Sequence, residues 1–338
     1  MVTYMFSKVY EKIKKYIKNN YKFIIFLIIL TIILNIKTPY IISAPGGVIP
    51  LSDRVTVDDK NISSNYYTSY VKVMDGKLAG VIASFVLPNW DLEKYKEYSG
   101  NTNLSYDELN KVEKMMMNEG NNTAIILALR KAGADYEITD EKYVVYYKLE
   151  KYKNNLKIGD VINSCNDKKI TILDDLYACI NSTDDNVKLG ISRNDIDKDI
   201  TVPIYKNKDK KLIGISIFHD YKVKSKYNIN ISSRDSESGS SGGFMTALSL
   251  YDYLSSLNLS KKYKIAGSGT IDEEGKVGKI SGIKYKLLGA NKKKIDIFFV
   301  PNDNYKEAVK VKKKHHLKMK IIKVNELDDA INYLKSLT

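Results

Sequence analysis

The sequence predicts a multidomain α+β chain. It has an N-terminal apolar helix, a small β-rich region, and two further units in which strands and helices mix. Three observations predict this. Residues 23–36, FIIFLIILTIILNI, are apolar except for Thr31 and Asn35. Stretches of alternating β-branched and aromatic residues, such as YYTSYVKV, stand beside segments whose apolar residues recur at helical spacing. At 338 residues the chain has room for two or three modest domains.

Composition narrows the function. The hydrophobic share of 43% is ordinary, and the formal charge is +14. The lysines are spread along the whole chain, and no aromatic-basic recognition motif accompanies them, so nucleic acid is not an expected partner. Cys165 and Cys179 each fall within an apolar pattern. Buried free thiols are the preferred reading, with a single disulfide as the alternative if that part lies outside the cytoplasm. His219, His315 and His316 have no acidic or thiol partners at ligand spacing, so a metal site is not expected.

Lys8, Lys12, Lys14, Lys15, Lys18 and Lys22 precede the apolar run, and PYIISA follows Lys37. Residues 1–22 read as a basic cytoplasmic tail. Residues 23–42 read as a transmembrane anchor, with Lys37 snorkelling to the interface. A cleaved signal peptide ending at ISA before Pro45 and a buried core helix are the competing readings. The lysine excess places the N-terminus in the cytoplasm and everything after residue 45 outside.

Residues 43–139 are expected to form a β-rich and helical extracytoplasmic region. It opens with the turn PGG and continues with strands through YYTSYVKVMDGKLAGVIASFVL. Residues 105–133 read as helix, broken at Gly120-Asn121-Asn122, with Met115, Met116 and Met117 in the core. Residues 140–208 form a compact unit. LKIGDVINSCNDKKI holds a turn glycine before Asp160, a strand, a polar turn and a second short strand. In TILDDLYACI, Leu173, Leu176, Tyr177 and Ile180 sit at helical spacing, and NVKLGISRNDIDKDITVPIY closes the unit as a strand pair. The pattern L-K-x-G-D-x-I followed by a helix opening D-D-L resembles a bacterial PDZ domain. That resemblance implies capture of an extended peptide by strand addition. The usual glycine-rich carboxylate-binding loop is not evident before YVVYYKL.

In residues 209–338 a strand-like stretch runs into ESGSSGGFMTAL. Phe244, Leu248, Tyr251 and Leu254 then share a helical face. Ser240 and Ser241 stand at the start of that helix, where free N–H groups and the dipole favour negative charge: a phosphate, or the oxyanion formed when a hydroxyl attacks a carbonyl. No G-x-x-x-x-G-K-[ST] string occurs in the chain. A nucleophilic serine needs a base, and His219 has nothing to mark it as one. Downstream lies AGSGTIDEEGKVGKISGIKYKLLGA, with a hairpin turn at Glu274-Gly275 and a helix carrying Lys284 and Lys286.

Together these two stretches resemble the Lon protease domain. The family's G-P-S-A-G aligns with Gly239-Ser240-Ser241-Gly242-Gly243, which puts the nucleophile at Ser241. Its G-G-(I/L/V)-x-x-K aligns with Ser281-Gly282-Ile283-Lys284-Tyr285-Lys286, which puts the base at Lys286. A supporting family Thr corresponds to Ser268, and Gly239, Ser240 and Gly242 complete the nucleophile turn. Ser240 replaces the motif's proline, Gly242 its alanine, and Ser281 its first glycine. On residues alone, either Ser240 or Ser241 can be the nucleophile.

With the anchor and the PDZ-like unit, the arrangement resembles the membrane-anchored, PDZ-containing Lon-like serine proteases of Gram-positive bacteria (the SepM/YlbL group of peptidase family S16). The resemblance implies an ATP-independent Ser-Lys endopeptidase that needs no cofactor and cleaves secreted or membrane-associated polypeptides outside the cell. Lon domains can form rings, so the resemblance allows a homo-oligomer, and the sequence leaves the oligomeric state open. To act as base, Lys286 must be neutral, and burial can lower its pKa by about 3, at a cost of about 4 kcal/mol. The alternative reading is a non-catalytic, membrane-tethered PDZ adaptor with a degenerate Lon-like domain.

Overall fold

The structure is a computed structural model. It describes residues 2–62, 65–100, 102–207, 210–260 and 262–337. The sequence boundary at 208/209 lies outside the described residues. The chain forms two compact units, Met1–Pro45 with Lys72–Asn103, and Gly46–Val71 with Leu104–Thr338.

The first unit begins with α1 (Val2–Leu34) and holds the start of β1 (Lys37–Pro50) and the end of β2 (Tyr66–Lys77). It continues with α2 (Leu78–Val86) and β3 (Asp91–Lys94), which pairs antiparallel with β1 at Ile42↔Leu92. Two expectations are corrected here. The anchor does not run helically to residue 42. The helix ends at Leu34, and Ile41 and Ile42 are buried in β1. Thr38-Pro39 accounts for this, because the residue before a proline is pushed towards extended backbone. The Thr38 hydroxyl also donates to Gly76 O. The strand text through residue 87 likewise breaks: past Lys77 the chain turns helical, with Gly80 pressed against Ile42, whose Cδ1 would lie 2.6 Å from an added Cβ.

The second unit has two parts. One is built on α3 (Tyr106–Lys131), β4 (Tyr136–Lys148), β5 (Val161–Cys165), α4 (Leu173–Ser182), β6 (Asn186–Arg193), β7 (Ile196–Pro203) and β8 (Ile215–Ser225). The strands form an antiparallel sheet in the order β7-β6-β5-β4-β8. Its core includes Leu156, Ile162, Leu176, Ile180, Leu189 and Val202. The Gly-Asp pair ahead of β5 has a clear structural reason. Gly159 takes a positive φ of 93°. Asp160, 1% exposed, accepts from Lys157 N at 2.7 Å and from both Nε and Nη2 of Arg193 at 2.6 Å. The expectation of free thiols is overturned, since Cys165 and Cys179 form a disulfide tying β5 to α4. The end of the strand and the helix's second turn meet across a 14-residue separation that sequence periodicity does not resolve.

A fourth correction concerns α3, which passes through Gly120-Asn121-Asn122 without a break. Its start is secured by a capping box, with Glu108 N donating to Ser105 Oγ and Ser105 N donating to Glu108 Oε2. Its second half, from Thr123 to Leu129, is buried.

The other part carries α5 (Gly243–Leu254), β9 (Ile265–Gly267), α6 (Ile283–Lys292), β10 (Ile297–Pro301), α7 (Asn302–Lys314), β11 (Lys320–Val324) and α8 (Leu327–Lys335). Strands β11, β10, β9 and β2 run parallel in that order. Both faces of the sheet are covered. Ile297 and Phe299 enter a core with α3, α5 and α8, while Phe298 and Val300 enter one with α6 and α7. A parallel strand buried on both sides reads as a continuous apolar run, and IFFV is one.

Candidate active site

The site forms where α5, the end of β9 and α6 converge. Gly239 takes a φ of 93°, which turns the chain into a short 3-10 turn, Ser240–Gly242, leading directly into α5. A side chain at Gly239 would meet open space, so conformation rather than room requires glycine there. Gly239 N donates to Glu113 O at 3.0 Å and Ser238 Oγ to Glu113 Oε2 at 2.9 Å, while Glu237 pairs with Arg54. The loop is thereby held by α3 and by the residues after β1.

The rest of the turn is seated closely. A Cβ on Gly120 of α3 would touch Ser240 at 3.4 Å, and one on Gly243 would lie 3.0 Å from Gly120 O. The Gly-Asn-Asn stretch read as a helix break is the place where α3 faces the serine turn, and there it is Gly243, against Gly120 O, that lacks room for a side chain. An isolated glycine inside an otherwise helical pattern was the signal for it. A methyl at Gly242 would meet Thr68 Oγ1 at 3.2 Å, so this position is also tight against β2.

Lys286 lies on the apolar stripe Ile283, Lys286, Leu287, Ala290 of α6 and is 4% exposed. Its position in the helical period is one that normally carries an apolar residue. Helix α6 starts at Gly282, whose φ of 68° is left-handed, and it packs tightly through Gly289 on the Gly46-Gly47 backbone.

The structure brings Ser241, Ser268 and Lys286 together. Lys286 Nζ is 2.7 Å from Ser241 Oγ and 2.8 Å from Ser268 Oγ. Ser268, fully buried just past β9, donates to Ser241 O at 3.0 Å, and Gly269 N donates to the same oxygen at 2.9 Å. Ser240 lies against α3 instead.

These contacts bear on which group can give and which can take a proton. The Ser268 proton is committed to Ser241 O, so Ser268 Oγ is left to accept from the amine. A neutral lysine with one N–H given to Ser268 can aim its lone pair at Ser241 Oγ. Burial pushes the Lys286 pKa down from 10.5 to about 8, and its hydrogen-bond partners are neutral hydroxyls. Ser240 and Ser241 occupy the first turn, where a helix leaves backbone N–H groups without intrahelical acceptors. Such groups suit an oxyanion. The described residues hold no cluster of His, Cys, Asp or Glu suited to a metal ion.

Residues 217–336 match the family description "Lon protease (S16) C-terminal proteolytic domain". Among solved structures, the PDZ domain of the SdrC-like protein from Listeria monocytogenes is similar to part of this chain. The identity is 19% over 22% of this chain and 85% of that one, with a TM-score of 0.21. No curated protein matches. The fold class is mixed α and β, with an N-terminal apolar helix and a C-terminal Lon protease domain.

Proposed function

From the premise that residues 217–336 form a serine protease domain of the Lon type, we propose that the chain is a membrane-anchored, ATP-independent endopeptidase with a Ser241-Lys286 dyad, acting on polypeptides outside the cell. The observation that carries this reading is the buried Lys286 amine 2.7 Å from Ser241 Oγ, with its pKa lowered to about 8. In the mechanism, neutral Lys286 takes the Ser241 proton as Oγ attacks the scissile carbonyl. The N–H groups of the serine turn receive the oxyanion. The resulting ammonium returns its proton to the leaving amine. Water activated by the same lysine then hydrolyses the acyl-enzyme. Ser268 is a positioning residue that holds the amine.

Three features support the membrane and extracytoplasmic part of the reading. Val9–Leu34 is long and apolar enough to cross a bilayer, and none of its most apolar window is buried. The lysines crowd its N-terminal side. The Cys165–Cys179 disulfide suits an oxidising compartment. We assign residues 140–208, with β8 completing their sheet, to a PDZ-like unit that docks substrate peptide, and the rest of residues 209–338 to catalysis. Deleting the docking unit is expected to impair cleavage of large substrates more than of short peptides.

The test is covalent. A serine-reactive fluorophosphonate should label the full chain at Ser241, and peptide cleavage should be lost in Ser241→Ala and Lys286→Arg, since guanidinium does not release its proton. Ser240→Ala should retain both labelling and cleavage. Cleavage by folded Ser241→Ala would overturn the dyad. A folded wild type that neither labels nor cleaves would favour a non-catalytic adaptor.

A further inference from the structure

Within the first unit, α2 is an apolar helix whose outer face is exposed among the described residues. Its sequence, LAGVIASFV, carries no charge, and none of its residues is buried. Phe85 and Val86, at 81% and 79% exposure, are the most exposed large hydrophobic side chains among the described residues, and Leu87 follows them. A contiguous exposed apolar surface of this kind marks an interaction site.

The position of α2 identifies what covers it. Leu78 N donates to Ile36 O at 3.0 Å, and Lys77 Nζ donates to Asn35 Oδ1 at 3.1 Å. Both bonds join the start of α2 and its N-cap to the two residues just past the candidate span Val9–Leu34, and the two helices touch. No charged side chain lies between Lys22 and Lys37, so the apolar surface of α1 continues to the point where α2 begins. Gly80 seats the inner face of α2 on Ile42 of β1, which leaves Phe85 and Val86 on the outer face. At about 1.5 Å per residue α2 is roughly 13 Å long, too short to span a bilayer that needs about 20 residues. An apolar helix of that length, held beside the end of a span, fits the boundary between headgroups and acyl chains. Trp90, half-buried just beyond it, is a side chain suited to headgroup level.

We propose that α2 is a second membrane contact, with Phe85, Val86 and Leu87 inserted into the outer leaflet of the bilayer that α1 crosses. The proposal rests on the reading of α1 as a membrane anchor. The contact would hold the segment after the anchor against the lipid surface instead of leaving it to swing on a flexible stalk.

Trp90 is the only tryptophan, so the full chain carrying Trp90→Phe accepts a single fluorescent probe. The probes are Phe85→Trp, Val86→Trp as a second position, and Ile29→Trp within α1. Each protein is reconstituted into phosphatidylcholine–phosphatidylglycerol vesicles with or without brominated acyl chains. The expected result is a blue shift and loss of fluorescence to shallow bromines at positions 85 and 86, and loss to deep bromines at position 29. Quenching at 29 with water-like emission at 85 and 86 would overturn the proposal and leave the anchor standing. A blue shift at 85 and 86 without bromine quenching would also overturn it, in favour of a protein partner such as a second copy. No quenching at any of the three positions would remove the anchor, and the proposal with it.

Discussion

Titration of Lys286 should be visible in both rate and stability. Its pKa of about 8 leaves about 10% of the amine neutral at pH 7 and about 90% at pH 9. The value of kcat/KM for a neutral peptide should therefore rise about tenfold from pH 7 to 9 and then level off. An unshifted lysine at 10.5 would give a rise of about a hundredfold over the same range with no plateau. The same shift bears on folding. The folded pKa lies below the unfolded one, so the unfolded chain binds more protons between pH 8 and 10.5, and stability rises with pH across that window. Below pH 8 the buried ammonium costs the fold about 3 kcal/mol, and by pH 10.5 this cost is gone. Lys286→Met removes the charge but also the hydrogen bonds to Ser241 and Ser268, each worth about 1 kcal/mol. That loss offsets part of the gain and does not alter its pH slope. The assay is denaturant unfolding of the detergent-solubilised chain from pH 7 to 10. The difference between wild type and Lys286→Met cancels the titration of every other group. The wild type should gain on the variant by about 1 kcal/mol per pH unit above pH 8. A pH-independent difference, or a rate that climbs without a plateau, would refute the reasoning.

Three further outcomes follow from the packing. Ser268→Ala should reduce kcat by about 10-fold to 100-fold with little change in KM, and Ser268→Thr should restore much of it, because a hydroxyl beside Lys286 is what matters; equal kcat for the alanine variant would remove Ser268 from the site. Gly243→Ala places a methyl 3.0 Å from Gly120 O and from Ile271 Cγ2, so it should destabilise the fold by about 1–3 kcal/mol and displace Ser241, seen as a lower denaturation midpoint with weakened probe labelling. Reducing the Cys165–Cys179 bond, or replacing both residues with serine, should lower stability by about 3 kcal/mol for a loop of this length; unfolding curves that coincide with and without reductant would argue against it.

Much of this protein is determined locally and can be read from sequence. The run Ile297-Phe298-Phe299-Val300, short and rich in aromatic and β-branched residues, already fits a strand buried on both faces, which has no use for a polar side. Lys286 stands out in the α6 stripe because a charge occupies an apolar position of the helical period. The glycines around Ser240 and Ser241 announce a turn into an apolar helix. Tertiary structure decided the rest, and each such case depends on a neighbour distant in sequence. The apolar text past Lys77 reads as strand by its β-branched residues, and it became helix where the chain leaves β2 and packs on Ile42. Thr38-Pro39 marks locally that the helix ends before residue 38, but that the next residues form a buried strand follows from Tyr40–Ser43 pairing with β3. Gly120 costs its helix some stability in isolation, a Cβ there would make only an ordinary contact with Ser240, and the close fit lies on the other side, where Gly243 faces Gly120 O. Between two adjacent hydroxyls, the register of one 3-10 turn, held by Glu113, Gly120 and Gly269, sets Ser241 towards Lys286 and Ser240 towards α3. Periodicity can mark a residue as buried or exposed, but two side chains 45 residues apart meet at 2.7 Å only through the packing of everything between them.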